Sequence, residues 1–382
     1  MCEMWYFRSP QIVFGEDSIS FLSSLDIKRA AIITDRNLLR TDLPGLVEKA
    51  LPSGTMSLTL GDVSEEPPLS EITSHLGRIN EFAPDWFLAV GGGSVIDTAK
   101  ILFALYERPD LPVYDITPLV RLGLRKKSRL IAIPTTSGTG SECTWAAVPT
   151  VEGEKRKHEL ASPEILPDYA ILDPAFVVSL PLEQTRNTAS DAIAHAVEAY
   201  GSTWRNPYSD AMAEKALELI LGAIAGVMSD PKNLELRNQV HIGASMAGLA
   251  FSNSQIGLVH ALGHALGGRF KTPHGKAVAL FLPHVVAYNY DACPERYDRL
   301  NKIVPEQFRG ARLSDSLETV LGAIGQARSG REAGIDESEF NSNLDDLVSL
   351  ASESTGMVTN PKDAGSSDLR SLFMKAYGKE AP

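Results

Sequence analysis

The stretch VHALGHALGGRFKTPHG, residues 259–275, sets three histidines, His260, His264 and His274, in apolar, glycine-rich surroundings. His260 and His264 are four residues apart, which puts both on one face of a helix. His274 lies beyond Gly267-Gly268, which reads as a break in the helix. In SDAIAHAVEAY, Asp191 and His195 have the same spacing, joining a carboxylate oxygen to an imidazole nitrogen. A lone histidine on an apolar helix is more often a packed core residue than a ligand. An Asp–His pair four apart can equally be a cap beside a buried ring. Five such donors among alanines and glycines leave space for an ion, and together they favour a metal site. Carboxylate and imidazole without thiolate suit Fe(II), Zn(II), Mn(II) or Co(II) and disfavour Cu(I) and iron–sulfur clusters. Spacing alone picks His260 with His264 as the chelating pair and leaves His274 in a loop. The metalloprotease pattern H-E-x-x-H is absent, because Ala261 follows His260. His75, His158, His241 and His284 have no comparable company and read as structural or surface residues.

A second kind of chemistry belongs to WFLAVGGGSVIDTAK. A buried strand runs straight into Gly91-Gly92-Gly93, and a helix starts near Ser94. Glycines let the backbone approach a ligand closely, and the unpaired N–H groups of a helix start favour an anion. Ser94 and Asp97 have capping-box spacing, so their simplest role is to start that helix. The pattern differs from G-x-G-x-x-G, in which an acidic ribose contact follows the glycines by about 20 residues. Here the comparable residue, Asp35, precedes them. A further small-residue loop, PTTSGTGSE (134–142), offers hydroxyls and open backbone suited to a pyrophosphate and nicotinamide.

Positioning such groups takes a sizeable scaffold, and 382 residues make two domains the natural expectation. The runs AAIIT (30–34), WFLAV (86–90), LIAIP (130–134) and YAILD (169–173) read as buried strands, separated by stretches of helical spacing at 70–82 and 94–106. That alternation predicts βαβ units and a parallel sheet. After about residue 181 the chain turns Ala- and Leu-rich with helical periodicity and no strong strand. The expected architecture is an α/β dinucleotide-binding domain over residues 1–180 and an all-α metal-binding domain over 181–382, with the active site in the cleft between them. The segment NPKDAGSSD (360–368) reads as loosely ordered.

The formal charge of −12 argues against a nucleic-acid or anionic-membrane surface. Three scattered cysteines exclude a disulfide framework and a cysteine-based zinc site. The N-terminus lacks the pattern of a signal peptide, and no apolar run approaches the ~20 residues that cross a bilayer. A cytoplasmic enzyme with small ligands is expected.

The set FG (14–15), GGGSVIDTAK, PTTSGTGSE, LPDYAILDP, DAIAHAVEAY and VHALGHALG…TPHG, in this order, resembles the iron-containing (group III) alcohol dehydrogenase family from about residue 8 to about 378. The resemblance implies metal ligands at Asp191, His195, His260 and His274, with His264 beside the metal, relaying protons or holding substrate. It implies pyrophosphate contacts at Gly92, Gly93 and Ser94, further cofactor positions at Asp97, Thr135, Thr136 and Lys157, and a ribose contact at Asp35. Two departures are visible: Ala189 where the family usually has glycine, and Glu66-Pro67-Pro68 in place of an Asn-Pro-Thr segment.

The implied reaction is hydride transfer between a primary alcohol or aldehyde and NAD(H), with a homodimer or larger homo-oligomer expected. A histidine with pKa near ~6.5 falls roughly nine units short of an alcohol hydroxyl, a gap of about 12 kcal/mol, so a divalent ion is needed. Fe(II) is the family expectation, and Zn(II) binds such donors more tightly. Asp35 favours NAD over NADP, because a carboxylate there repels a 2′-phosphate. The rival readings are a hydroxyacid–oxoacid transhydrogenase or semialdehyde reductase of the same family. Less favoured are glycerol-dehydrogenase-like and dehydroquinate-synthase-like enzymes, whose ligand patterns differ, and a catalytically silent binding protein.

Overall fold

The computed structural model describes residues 6–150 and 158–379, which form two compact units, residues 8–179 and residues from Leu180 onward together with Tyr6 and Phe7. In chain order the first unit contains β1 (Gln11–Phe14), β2 (Arg29–Asp35), α1 (Leu43–Ala50), β3 (Met56–Val63), α2 (Leu69–Ser74), α3 (Leu76–Phe82), β4 (Trp86–Gly91), α4 (Gly93–Glu107), β5 (Arg129–Pro134), β6 (Ala146–Ala147), β7 (Leu160–Ala161) and β8 (Tyr169–Leu172). Six strands form one parallel sheet in the order β1-β8-β5-β4-β2-β3. The four strands expected from apolar runs are all present. They are legible because parallel strands covered on both faces need apolar side chains at every position, and β4 is buried throughout. The edge strands β1 and β3 are partly exposed and carry no continuous apolar run, so no local pattern signals them.

The strand order matters for ligand placement. From β2 the chain moves outward to β3, then returns past β2 to β4 and continues the other way through β5 to β8. The sheet therefore reverses direction between β2 and β4, which pair directly from Ala30↔Trp86 to Ile33↔Ala89. Ligands of open α/β sheets bind beyond the carboxyl ends of the strands at such a switch point. Asp35 ends β2 and the three glycines run from the end of β4 into α4, so an acidic residue upstream of the glycines still becomes their neighbour.

The second unit is all helical: α5 (Leu182–Gly201), α6 (Pro207–Ser229), α7 (Leu234–Ser252), α8 (Leu258–Phe270), α9 (His274–Asn289), α10 (Pro294–Ile303), α11 (Leu313–Ala323), α12 (Glu337–Ser352), α13 (Gly356–Thr359) and α14 (Ser366–Tyr377). α5 packs against α6, α7, α8 and α9, and its alanines Ala189, Ala192, Ala194, Ala196 and Ala199 are fully buried. Small side chains on a central helix let its neighbours come close. Two sequence expectations change here. α8 runs straight through Gly267-Gly268 and turns at Lys271, which takes the left-handed conformation with φ 51°. The segment at 360–368 is ordered: Asn360 is buried, and α14 begins at Ser366. No described helix is long and apolar enough to cross a membrane.

Candidate metal centre and cofactor loops

In the helical unit, α5 carries Asp191 and His195 one turn apart, α8 carries His260, and α9 begins at His274. Close helix approach brings the last of these in. A Cβ on Gly275 would stand 2.0 Å from the carbonyl oxygen of Asn187, so only glycine lets the start of α9 lie against α5. Asp191 Oδ1 then lies 3.2 Å from His274 Nε2, 3.3 Å from His260 Nε2 and 3.8 Å from His195 Nε2. Ligand bonds of 2.0–2.1 Å around a tetrahedral ion imply donor separations of about 3.4 Å, so these spacings suit a divalent cation. The donor atoms of Asp191, His195 and His260 all lie within 4.8 Å of one another, and the three residues are buried. The His274 side chain is one-third exposed and joins them through the Asp191 oxygen. An N3O donor set without sulfur fits Fe(II), Zn(II), Mn(II) or Co(II).

His264 stands apart from that convergence. It is exposed, its ring 5.1 Å from that of His274 and 5.8 Å from that of His260. The pair that spacing favoured, His260 with His264, is thus not the one gathered on Asp191. One helical turn carries His264 along α8, while the α8–α9 turn swings His274 back. His195 is sandwiched between the rings of Phe251 at 4.2 Å and His260 at 4.4 Å, which fixes its plane.

One functional residue was missed. Glu198 lies three residues beyond His195 on the same face of α5, and its Oε2 accepts the Nδ1–H of His260. Its other oxygen accepts the backbone N–H of Val259 at 2.6 Å. A carboxylate can only accept, so it fixes the proton on Nδ1 and leaves Nε2, which donates to Asp191, as the nitrogen that can give up its proton to a cation, the usual support of a ligating histidine. The D-x-x-x-H-x-x-E spacing was the available signal. Burial lowers the pKa of His260, but Glu198 and Asp191 outweigh it and raise it to about 10. Burial would raise Asp191, yet His195, His274 and the hydrogen bonds from His260 and His274 hold it well below the usual carboxylate range. The centre is electrostatically tight, and a cation entering it displaces protons.

In the α/β unit, the loops after β4 and β5 start from paired strands, with Gly91 opposite Pro134. A Cβ on Gly93 would meet the Thr139 side chain at 3.0 Å, so the glycines also let the second loop close down on the first. Thr135 is buried and its N–H donates to Gly91 O; Thr136 is partly exposed. The capping-box expectation changes here. The N-cap of α4 is Gly92, Ser94 Oγ accepts from the Glu66 N–H at 3.3 Å, and Asp97 turns to the second loop. Its carboxylate accepts from Ser141 Oγ at 2.5 Å and Val148 N at 3.0 Å. Lys100, fully buried, donates to Ser141 Oγ in that loop and to Thr144 Oγ1 and Ala146 O just beyond it. Long-range partners overrode the local cap. Asp35 Oδ1 accepts from the N–H groups of Asn37 and Leu38. Lys157 lies outside the described residues.

Comparison with known proteins follows the same division. Residues 9–174 match the family described as iron-containing alcohol dehydrogenase, and residues 185–377 match the C-terminal region of the Fe-containing alcohol dehydrogenase family. The NADPH-dependent butanol dehydrogenase of Clostridium saccharobutylicum is 30% identical over 98% of both chains. Aldehyde-alcohol dehydrogenase 2 of Entamoeba histolytica is 32% identical over 98% of this chain, which spans about half (46%) of that longer protein. The solved iron-containing alcohol dehydrogenase of Thermococcus thioreducens superposes with a TM-score of 0.88 at 32% identity, over 98% of this chain and 99% of the other. The chain belongs to the iron-containing alcohol dehydrogenase family, whose members are oxidoreductases acting on alcohols.

Proposed function

We propose that this chain is a metal-dependent alcohol dehydrogenase or aldehyde reductase that moves hydride between a primary alcohol or aldehyde and NAD(H). The observation that carries the reading is the convergence of three imidazole nitrogens on one buried Asp191 oxygen, beside an exposed fourth histidine. Asp191, His195, His260 and His274 would hold the divalent ion, Fe(II) by family expectation or Zn(II). When bound, it would supply the Lewis acidity that stabilises negative charge on a substrate oxygen.

The chain's own groups do the rest. His264, exposed and 5.1 Å from the His274 ring, holds or passes the hydroxyl proton to solvent. Gly92, Gly93 and Ser94 at the start of α4 receive the pyrophosphate. Thr135 and Thr136 line its path, and Asp97 acts by holding the second loop in place. Asp35 takes the ribose of NAD, NADP being the alternative that the butanol dehydrogenase relative's name raises. Hydride transfer requires the substrate carbon within ~3.5 Å of the nicotinamide, so the chain must also orient both and exclude water. A cytoplasmic homodimer or larger homo-oligomer is part of this reading.

The test is anaerobic reconstitution with Fe(II) or Zn(II), followed by a panel of alcohols and aldehydes with NAD(H) and NADP(H). Metal-dependent turnover of a primary alcohol with NAD supports the reading. Binding of neither metal nor nicotinamide refutes it, and hydroxyacid–oxoacid exchange without added nicotinamide would replace it with the transhydrogenase reading.

A further inference from the structure

The helix that carries His260 cannot cap itself. Its N-cap is Gly257, which has no side chain, while the first N–H groups of any helix need acceptors from outside it. In α8 those acceptors come from elsewhere in the unit. Leu258 N donates to Asn360 Oδ1 at 3.4 Å, and Val259 N and His260 N donate to Glu198 Oε1 at 2.6 and 3.4 Å. Glycine at 257 is what admits them: a Cβ there would stand 3.0 Å from Glu198 Oε1 and 3.4 Å from Asn360 Oδ1.

Asn360 is itself held on every side. It forms a reciprocal amide pair with Asn289, the last residue of α9: Asn289 Nδ2 donates to Asn360 Oδ1 at 2.8 Å, and Asn360 Nδ2 donates back to Asn289 Oδ1 at 2.9 Å. Asn360 Nδ2 also donates to Lys362 O at 2.6 Å. Next to it, the Thr359 hydroxyl donates to Ile256 O, and Thr359 O accepts from Thr203 N at 2.9 Å. A Cβ on Gly356 would come within 2.3 Å of Gly257 O, so this C-terminal segment presses directly on the turn that opens α8.

We propose that Asn360 is a positioning residue for the metal centre. With Asn289 it supplies a surrogate cap that, together with Glu198, sets the height and rotation of the first turn of α8 and so the reach of His260 Nε2. The opposite end of α9 carries His274, so one amide pair braces two helices that each bring a ligand. Buried polar networks are worth most when every member is satisfied, and this one has its donors placed.

The proposal rests on the reading that Asp191, His195, His260 and His274 bind a divalent ion. The test measures Zn(II) dissociation constants by competition with a chromophoric chelator, and Co(II) absorption bands, on the full chain. Asn360→Ala and Asn289→Ala are each expected to weaken Zn(II) binding about tenfold, the low end for an outer partner of a ligand. The double variant should be no weaker than the weaker single, because both remove the same pair. Val227→Ala removes a fully buried side chain near the C-terminal end of α6 and serves as the control for lost stability, with Zn(II) affinity expected to stay unchanged. Asn289→Ala stands in if Asn360→Ala fails to fold. If Asn360→Ala and Asn289→Ala lower Tm while Zn(II) affinity and Co(II) bands match the unaltered protein, the role is structural only and the proposal falls. No Zn(II) binding by the unaltered protein would instead refute the metal reading, and this proposal with it.

Discussion

Replacing Glu198 with Gln tests how strongly the centre depends on a residue that touches no ion. The substitution keeps the size and shape of the side chain and removes only its capacity to accept at both ends. In the native arrangement Oε2 accepts from His260 Nδ1 while Oε1 accepts from Val259 N at 2.6 Å and His260 N at 3.4 Å. A Gln amide turned either way sets its NH2 against an N–H. If it faces the imidazole, His260 must shift its proton to Nε2 and can no longer offer that nitrogen to a cation. If it faces α8, two backbone donors lose their acceptor at the helix start. A hydrogen bond to a charged group contributes about 1.5–3 kcal/mol, which converts to roughly 10- to 100-fold in metal affinity. Chelator competition with Zn(II), alongside circular dichroism to verify folding, reads this directly. A folded Glu198→Gln protein binding Zn(II) within about twofold of the unaltered chain would refute the tautomer argument.

Three further outcomes follow from the same geometry. His274→Ala should lose the metal, whereas His264→Ala should keep it and lower kcat, since only His274 reaches the Asp191 oxygen; metal analysis and steady-state rates on both variants give the answer, and the reverse pattern would reinstate the His260–His264 chelate. Asp35→Gly should lower the NAD-to-NADP ratio of kcat/KM by on the order of tenfold, the equivalent of one hydrogen bond to a charged group, and an unchanged ratio would remove Asp35 from cofactor choice. His241 is buried in α7, and burial lowers its pKa from 6.5 to about 4. The unfolded chain therefore binds this proton first as pH falls, so the stabilising contribution is present above pH 6.5 and is lost as pH drops toward 4. Denaturant titrations from pH 7 to 4 should show less acid sensitivity in His241→Gln than in the unaltered protein.

Much of the scaffold was legible because its signals are local. The strands at 30–34, 86–90 and 130–134 stand out because a sheet covered on both faces tolerates few polar residues. The edge strands Gln11–Phe14 and Met56–Val63 carry no such signal because most of their residues are partly or fully exposed. Ser94 and Asp97 had the spacing of a capping box, but Asp97 found Ser141 and Val148, 44 and 51 residues away, and no local rule anticipates such partners. Asn360 looked like part of a loosely ordered tail for the same reason, since what orders it is Asn289 and the backbone of Leu258.

Residue types alone establish the chemistry on offer: an oxygen and several imidazole nitrogens without thiolate, two small-residue loops after buried strands, and helices of alanine that can pack closely. Tertiary structure alone decided which of those groups meet. Four-residue spacing guarantees only that two side chains share a helix face, and His260 and His264 do share one. Which histidine reaches Asp191 depends on how α8, α9 and α5 cross, and the absence of a Cβ at Gly275 permits the crossing that brings in His274. Similarly, Asp35 becomes a neighbour of the glycines only because β2 pairs with β4 and β3 is displaced to the edge. Periodicity records the direction of a side chain, while its partners are set by the packing of elements far apart in the chain.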